Sequence, residues 1–342
     1  MTVNCHVTRR HASGRKHVCL RRLPYKLNDC AAFQVPYLIQ HTLKPTKHQE
    51  DIVQKMTTNT GHVAPPGSAW DQMALHMERM TQTVSVAPAN ELVIKLNSLL
   101  SFGQSSAILD TGCGGGLVTS RLLAIYGPNL PTPTPRILAC DFSDGMIQQV
   151  QKRGQKETAN GNPFWSAVET EKHDAQDLHG IQDGSFSHAM GGLVFFMLPD
   201  PQKALSETKR VLKEGGVIGL SSWKTSQWID LMYGVSKESD DAMKATLTTS
   251  WSSTEGVVNQ LEVAGFRDIQ AVEVDTSMPY DSHEEFCNFL LTQLPHMKKI
   301  TSTWPEEKLR RAEQDTVARM KMMSPKAPGN LSGTAVVAVG RK

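Results

Sequence analysis

The sequence predicts an α/β protein whose doubly wound, largely parallel sheet is covered by helices on both faces. Short apolar strand patterns alternate with helical patterns from Ala107 onward, which is typical of a parallel sheet. The first strand, Ala107–Asp110, runs into the glycine-rich turn Gly112–Gly116, and a helical pattern follows at 117–126. Such a turn brings bare backbone N–H groups to a helix N-terminus, where a ligand can approach closely.

The later elements continue this alternation. We predict further strands at residues 136–141, 166–172, 187–193, 217–223, 269–274 and 334–339. We predict helices at residues 69–83, 89–100, 144–155, 201–214 and 253–264, and more helical segments within 282–323. The helix that begins at Pro201 has Asp200 as its cap and Gly215 as its stop, and Ser282 with Glu285 forms a capping box for a later one.

The first 56 residues differ in charge from the rest of the chain. Before Glu50 the one acidic residue is Asp29, against nine arginines and lysines. Three interpretations of residues 1–56 stay open: a mitochondrial transit peptide, a disordered tail, or an extension upstream of a natural start at Met56. Residues 57–68, polar and rich in proline, predict a linker, and residues 69–342 are predicted to form one domain.

Composition limits the classes of function. A formal charge of +2 for 342 residues argues against general affinity for nucleic acid. No apolar run approaches the roughly 20 residues that a membrane helix needs. The six cysteines show no CxxC pair and no metal-ligand spacing, which predicts a reducing compartment and no metal site. We expect a cytoplasmic monomer or homodimer, or a mitochondrial protein if residues 1–56 are a transit peptide.

The spacing of the glycines distinguishes two kinds of nucleotide site. A dinucleotide fingerprint requires G-x-G-x-x-G, but after Gly112 and Gly114 the third required position is Leu117. The pattern D-x-G-x-G-x-G over residues 110–116 instead resembles motif I of class I S-adenosylmethionine (SAM) methyltransferases. Residues 141–146 (D-x-S-x-x-M) and 174–178 (D-A-x-D-L) resemble later segments of that family, in the same order.

The resemblance covers residues 69–342 and includes the segments 195–201 and 211–216. It is strongest to the ubiquinone/menaquinone-type branch and to fungal small-molecule methyltransferases. It implies a Rossmann-like, seven-stranded sheet in the order 3-2-1-4-5-7-6 with the last strand antiparallel. It also implies SAM as the cofactor and a helical cap formed by residues 69–100 and 282–323.

Three acids at successive strand ends are the candidate contacts to SAM. By the resemblance, Asp110 faces the ammonium group, Asp141 the ribose diol and Asp174 the adenine amine. The alternatives are helix capping for Asp110 and Asp141, and a plain turn for Asp174. Phe142 and Met146 either sandwich the adenine or belong to the core. The predicted cofactor site comprises Asp110, Thr111, Gly112, Gly114, Gly116, Asp141, Phe142, Met146, Asp174, Ala175 and Gly192.

The segment after the fourth strand narrows the acceptor class. Methyltransferases of DNA amino groups usually carry an Asp/Asn-Pro-Pro-aromatic turn there, whereas this chain has Gly191–Phe196. We predict a small, largely apolar organic acceptor, methylated on O, N, S or C. The family resemblance implies a setting in fungal secondary metabolism. The predicted contacts to it are Trp70, Met77, Phe195, Trp223, Trp228 and Tyr233.

Two other functions remain open at this point. One is a mitochondrial C-methyltransferase for a quinone precursor, and the other is a SAM-binding protein that has lost methyl transfer. No residue stands out as a general base. His188, on the strand predicted at 187–193, is interpreted as a core residue.

Overall fold

The computed structural model describes residues 70–71, 83–236 and 250–342. The described residues form a seven-stranded sheet with the strand order β3-β2-β1-β4-β5-β7-β6. The strands are β1 Ala107–Thr111, β2 Arg136–Asp141, β3 Val168–Lys172, β4 Phe186–Gly191, β5 Leu212–Ser226, β6 Arg267–Tyr280 and β7 Gly329–Arg341.

Helices connect these strands. They are α1 Val86–Leu99, α2 Leu117–Tyr126, α3 Asp144–Ala159, α4 Pro201–Val211, α5 Gln227–Ser236, α6 Thr254–Val263, α7 His283–Asn288, α8 Pro295–Thr301 and α9 Glu306–Met323. Residues 70–71 are also helical, but the rest of the helix predicted at 69–83, up to residue 82, lies outside the described residues. Residues 1–68, with the predicted tail and linker, lie outside them as well.

The strand directions confirm the predicted fold class. Strand β1 pairs in parallel with both β2 and β4, and β7 pairs antiparallel with both β5 and β6. From β1 the chain continues to β2 and β3 on one side, and then crosses to β4 on the other side of β1, which makes the carboxyl ends of β1 and β4 a topological switch point. Ligands of doubly wound sheets bind at such a point.

The central strands of the sheet are buried on both faces, whereas the edge strands β3 and β6 are mostly half-buried or exposed. Neighbouring residues of one strand belong to opposite layers, as expected for side chains that alternate across a sheet. Ile108 and Ile137 pack in the layer that contains Leu92 of α1 and Leu122 of α2. Their sequence neighbours Leu109 and Leu138 pack in the other layer, which contains residues of α4 and α6. Burial on both faces explains why central strands such as β1 and β2 contain continuous apolar runs.

Several predicted helix boundaries are wrong: α1 begins at Val86 rather than at residue 89, α3 ends at Ala159 rather than at residue 155, and α4 ends early. Helix α4 begins as predicted, with the side chain of Asp200 accepting a hydrogen bond from Lys203 N, but it ends at Val211 rather than beside Gly215. Leu212 is already extended and pairs with Phe186 of β4. Tertiary pairing with β4 therefore ends the helix before the glycine signal. Strands β6 and β7 also run further than predicted, because they pair with each other along almost their whole length.

The chain between β6 and β7 is helical, as predicted. Ser282 caps α7, since its Oγ accepts a hydrogen bond from Glu285 N at 3.1 Å. A π-helical turn, Phe289–Gln293, continues α7, and α8 begins at Pro295. Buried side chains of these helices join the core layer of Trp223 and Trp228, among them Phe286, Leu290, Met297, Ala312 and Met320.

Candidate functional site

The turn between β1 and α2 has an unusual backbone. Gly112 and Gly114 have φ values of +59° and +52°, a left-handed region that side chains with a Cβ rarely adopt. A Cβ on Gly112 would lie 2.4 Å from Val194 Cγ2, whereas a Cβ on Gly114 would meet no atom within 4 Å. Gly112 thus allows close packing of the turn against the segment after β4. Gly114 leaves open space above the turn.

Asp110, at the end of β1, is fully buried. Its Oδ2 accepts hydrogen bonds from Thr119 N at 3.1 Å and from Thr119 Oγ1 at 2.6 Å. Its Oδ1 has no partner among the described residues. Burial raises the pKa of this carboxyl from 3.8 to about 7. Asp110 therefore makes the contact with α2 that is expected of a capping residue, and its Oδ1 remains available to a ligand.

Asp141 connects two turns of the site. Its Oδ1 accepts a hydrogen bond from Ser143 N, and its Oδ2 accepts one from Gly114 N, both at 3.0 Å. Burial raises the pKa of Asp141, and these backbone N–H groups oppose that shift because they stabilise the carboxylate. The cap of α3 is Ser143, whose Oγ accepts from Met146 N at 3.1 Å. Asp141 itself therefore holds the end of β2 to the glycine turn.

The segment after β3 forms the third turn. Asp174 Oδ1 accepts a hydrogen bond from Gln176 N at 2.9 Å, and Asp174 and Asp177 form an isolated antiparallel bridge. Ala175 is buried beside them. Just before the turn, His173 Nε2 lies 3.0 Å from Glu171 Oε2. Asp174 therefore makes the hydrogen bonds expected of a residue in an ordinary turn.

A cavity of about 290 Å³ extends along the carboxyl ends of the strands, next to these three turns. The lining of the cavity has a polar part and an apolar part. The polar end comes from β1, β2, β3 and the turns that follow them, and includes Asp110, Gly112–Gly115, Asp141, Phe142, Met146 and His173–Ala175. The apolar end, called the acceptor end below, comes mainly from β4, β5, α5 and the segments beside them, and includes Gly192–Val194, Phe196–Leu198, Ser221, Trp223, Trp228, Ile229, Met232, Tyr233 and Leu294. Trp70 also lines the cavity.

Three of the predicted site residues that the structure describes are not among the cavity's lining residues. Phe195 is fully buried in the core, with its ring stacked on that of Trp251 at 6.5 Å between centroids, so the prediction of a pocket contact is wrong for it. Thr111 is also fully buried, and Gly116 is the N-cap of α2, packed on Val150. Met77 lies outside the described residues.

Other lining residues were missed by the sequence analysis. Phe196 takes the position expected for its neighbour Phe195. Ser221 lies two residues before Trp223 on β5, so the period of two along a strand was a usable signal for it. Leu294 precedes α8 and Ser85 precedes α1, and nothing in the sequence pattern placed either of them at this cavity.

His188 is the core residue that the sequence predicted. Its ring stacks on Phe102 with centroids 4.7 Å apart, and its Nε2 lies 3.0 Å from the carbonyl oxygen of Leu100. Burial lowers the pKa of His188 to about 4, so the ring is neutral at physiological pH. In the part of the chain that the structure describes, no cluster of His, Cys, Asp or Glu side chains could hold a metal ion.

Comparison with known proteins defines the class. A profile of the methyltransferase domain family matches residues 109–220, which contain the glycine turn and all three acids. The chain is 33% identical over 278 residues to the methyltransferase ucsB of Acremonium sp, a match that covers 81% of this chain and 96% of that protein. This chain belongs to the SAM-dependent methyltransferase family.

A second relative and a solved structure are also similar to this chain. Methyltransferase tpcH of Aspergillus fumigatus is 26% identical over 274 residues, covering 76% of this chain and 93% of that protein. The YcgJ protein of Bacillus subtilis, a solved structure, is similar with a TM-score of 0.48 at 15% identity. That similarity covers 73% of this chain and 97% of the other.

The polar end fits the amino-acid part of SAM. Asp110 offers one buried oxygen without a partner, which suits an ammonium group. The space that Gly114 leaves open adjoins the N-terminus of α2, where backbone N–H groups and the helix dipole favour a carboxylate. Asp141 and the turn at Asp174 line the same cavity, on the side of β2 and β3.

Proposed function

We propose that this protein transfers the methyl group of SAM to a small, largely apolar organic molecule that binds at the acceptor end. The observation that carries the proposal is the division of a single cavity into a polar and an apolar part. SAM, when bound, supplies a methyl group on a sulfonium, which makes it an activated donor.

The assignment of SAM to the polar end rests on charge. Asp110, Asp141 and Asp174 are the acidic side chains among the lining residues that the structure describes, and all three lie at that end. We assign Asp110 to the ammonium group, Asp141 to the ribose diol, and Asp174 with Ala175 to the adenine. Carboxylates suit each of these donor groups because charge-assisted hydrogen bonds are about twice as strong as neutral ones.

The assignment of an apolar acceptor rests on the side chains at the other end. Phe196, Met197, Trp223, Trp228 and Met232 contribute aromatic and thioether surface. Aromatic rings and methionines suit a flat or irregular apolar molecule. The polar groups there include the hydroxyl of Ser221, which accepts a hydrogen bond from Leu193 N at 3.0 Å. Such a surface positions an acceptor by apolar contact.

The proposed contribution of the protein is mainly orientation. Methyl transfer requires the nucleophilic atom to be held close to and in line with the methyl group, and correct positioning alone lowers the barrier by several kcal/mol. Gly192, where a Cβ would lie 2.5 Å from Val118 Cγ2, keeps the segment after β4 close to α2.

The setting of the reaction is proposed from the relatives, which come from Acremonium and Aspergillus. We propose a role in fungal secondary metabolism, with the enzyme acting as a cytoplasmic monomer or homodimer and not on nucleic acid. Within the described residues, no helix is both long and apolar enough to cross a membrane.

The proposal is tested by labelling with SAM that carries a deuterated methyl group. The full chain is incubated with this donor and an organic extract of a fungal culture, and products are compared by mass spectrometry with those of Gly114→Val, whose side chain would occupy the space assigned to SAM. A product that carries the label and appears with the wild type alone supports the proposal. SAM binding without any labelled product in apolar fractions would instead favour a descendant that no longer transfers methyl groups.

A further inference from the structure

We infer that Gly333 determines the size of the acceptor end, because it fixes the position of Trp228. The inference rests on the proposed function, and assigns a specificity role to a residue that does not itself line the cavity. Gly333 lies on β7, where it pairs with Ser226 of β5 and with Thr276 of β6. It is therefore inside the antiparallel part of the sheet and not in a turn.

Gly333 allows a close contact between the main chain and the indole ring. A Cβ at this position would lie 2.4 Å from Cη2 and 2.9 Å from Cζ3 of Trp228, and 3.2 Å from the carbonyl oxygen of Thr225. A glycine within a strand often marks a site where another group approaches the backbone. Here the far edge of the Trp228 ring rests against the main chain of β7.

Trp228 is also held by its neighbours. The preceding residue, Gln227, fastens the start of α5 to β7, since its Oε1 accepts a hydrogen bond from Ser332 N at 2.7 Å. The Trp228 ring packs edge-to-face against Trp223, with centroids 5.1 Å apart and planes at 89°. The open volume beside the ring is the cavity that it lines.

A methyl group on Gly333 would therefore move the ring into the cavity. Protein interiors are close-packed, so an added methyl group displaces what it touches. The polar end is built from β1, β2 and β3, on the far side of β4 and β5 in the sheet. The substitution should narrow the acceptor end and leave SAM binding intact, which is the behaviour of a specificity-determining residue.

The test measures binding of 2-naphthol, a neutral and flat aromatic alcohol, to the full chain in the presence of S-adenosylhomocysteine. We expect Gly333→Ala to weaken 2-naphthol roughly tenfold or more, as one methylene can in an apolar pocket, and to leave the SAM dissociation constant unchanged. The double variant Gly333→Ala/Trp228→Phe should regain most of the lost affinity, because the smaller ring makes room for the methyl group.

The control is Gly340→Ala, the same substitution on the same strand. Its Cβ would lie 3.2 Å from Phe266 Cβ, and Gly340 does not line the cavity, so 2-naphthol should bind as to the wild type. The inference is overturned if Gly333→Ala binds 2-naphthol as tightly as the wild type, or if the double variant stays as weak as the single one.

Two further measurements keep the inference testable. A crystal structure of Gly333→Ala should show the Trp228 ring displaced into the cavity, and an unmoved ring overturns the inference without any acceptor. If Gly333→Ala does not fold, Trp228→Ala is used instead, because removal of the ring enlarges the cavity that it lines. Trp228→Ala should bind the three-ring 2-anthrol more tightly than the wild type does, and equal or weaker binding overturns the inference. Failure of the wild type to bind SAM would overturn the proposed function instead.

Discussion

Asp141 is hydrogen-bonded to Gly114 across the site, with 3.0 Å between the carboxylate Oδ2 and the backbone nitrogen. The bond joins the turn after β2 to the turn after β1. The other carboxylate oxygen of Asp141, Oδ1, accepts a hydrogen bond from Ser143 N, also at 3.0 Å. Each oxygen has a second lone pair, so the carboxylate can hold the turns together and still accept hydrogen bonds from a ligand.

Removing this carboxylate should weaken SAM binding. We expect Asp141→Ala to cost about 1–3 kcal/mol of binding free energy, because charge-assisted bonds to the ribose hydroxyls are lost. Calorimetric titration with SAM measures the effect. The control is Asp144→Ala, which removes an exposed acid three positions later on α3 and should bind SAM normally. Unchanged affinity in Asp141→Ala would reject the ribose role.

SAM affinity should depend on pH through Asp110. Because burial places the pKa of Asp110 at about 7, the carboxyl is increasingly protonated below that pH, and a neutral acid attracts an ammonium group less than a carboxylate does. The dissociation constant should therefore rise as the pH falls from 7 to 6, by up to about tenfold. Titrations of the wild type and Asp110→Asn over this range test it, and the variant should show a flatter profile. If the SAM affinity of both proteins changed with pH in parallel, Asp110 would not bind the ammonium group, and its role would be the hydrogen bonds to Thr119.

Asp110 should also make folding stability depend on pH. Its pKa is near 3.8 when unfolded and about 7 when folded, so the folded state binds the proton more tightly. The resulting stabilisation is complete below about pH 4 and is lost as the pH rises toward 7. Asp110→Asn lacks this term, so its stability relative to the wild type should increase between pH 4.5 and 8 by an amount on the order of a few kcal/mol. Urea unfolding at several pH values measures it, and a constant difference would contradict it.

The sheet could be predicted from the sequence because its signals are local. Central strands such as β1 and β2 contain short apolar runs, and neighbours such as Ile108 and Leu109 pack on opposite faces where the sheet is buried on both. The glycine turn and the acids at the strand ends lie next to those runs, so their placement at one edge followed from the fold. The strand order itself came from the family resemblance, since periodicity contains no information on which strands pair.

The predictions were wrong where contacts between residues far apart in the sequence determine the local structure. Phe195 and Phe196 are adjacent in a 3₁₀ turn, and no periodic pattern tells which ring faces the cavity. Stacking of Phe195 on Trp251, far along the chain, decides it. Helix α4 ends at Val211 for a similar reason, because Leu212 pairs with Phe186. The role of Gly333 depends on Trp228 in the same way, and only the folded chain brings the two residues together.

Gly114 should be indispensable for SAM binding but not for folding. A side chain there would project into space that no atom of the described residues occupies within 4 Å of the Cβ position, and this is the space assigned to the ligand. Gly114→Val should therefore remove detectable SAM binding, while the left-handed backbone costs about 1–3 kcal/mol of stability. Gly161→Val is the matched control, because Gly161 also has a positive φ, +88°, and open space around its Cβ, but lies after α3 away from the cavity. Thermal melts of both variants measure the cost of the strained backbone, and titrations with SAM measure whether the side chain blocks the site. A folded Gly114→Val that binds SAM normally would show that the ligand lies elsewhere.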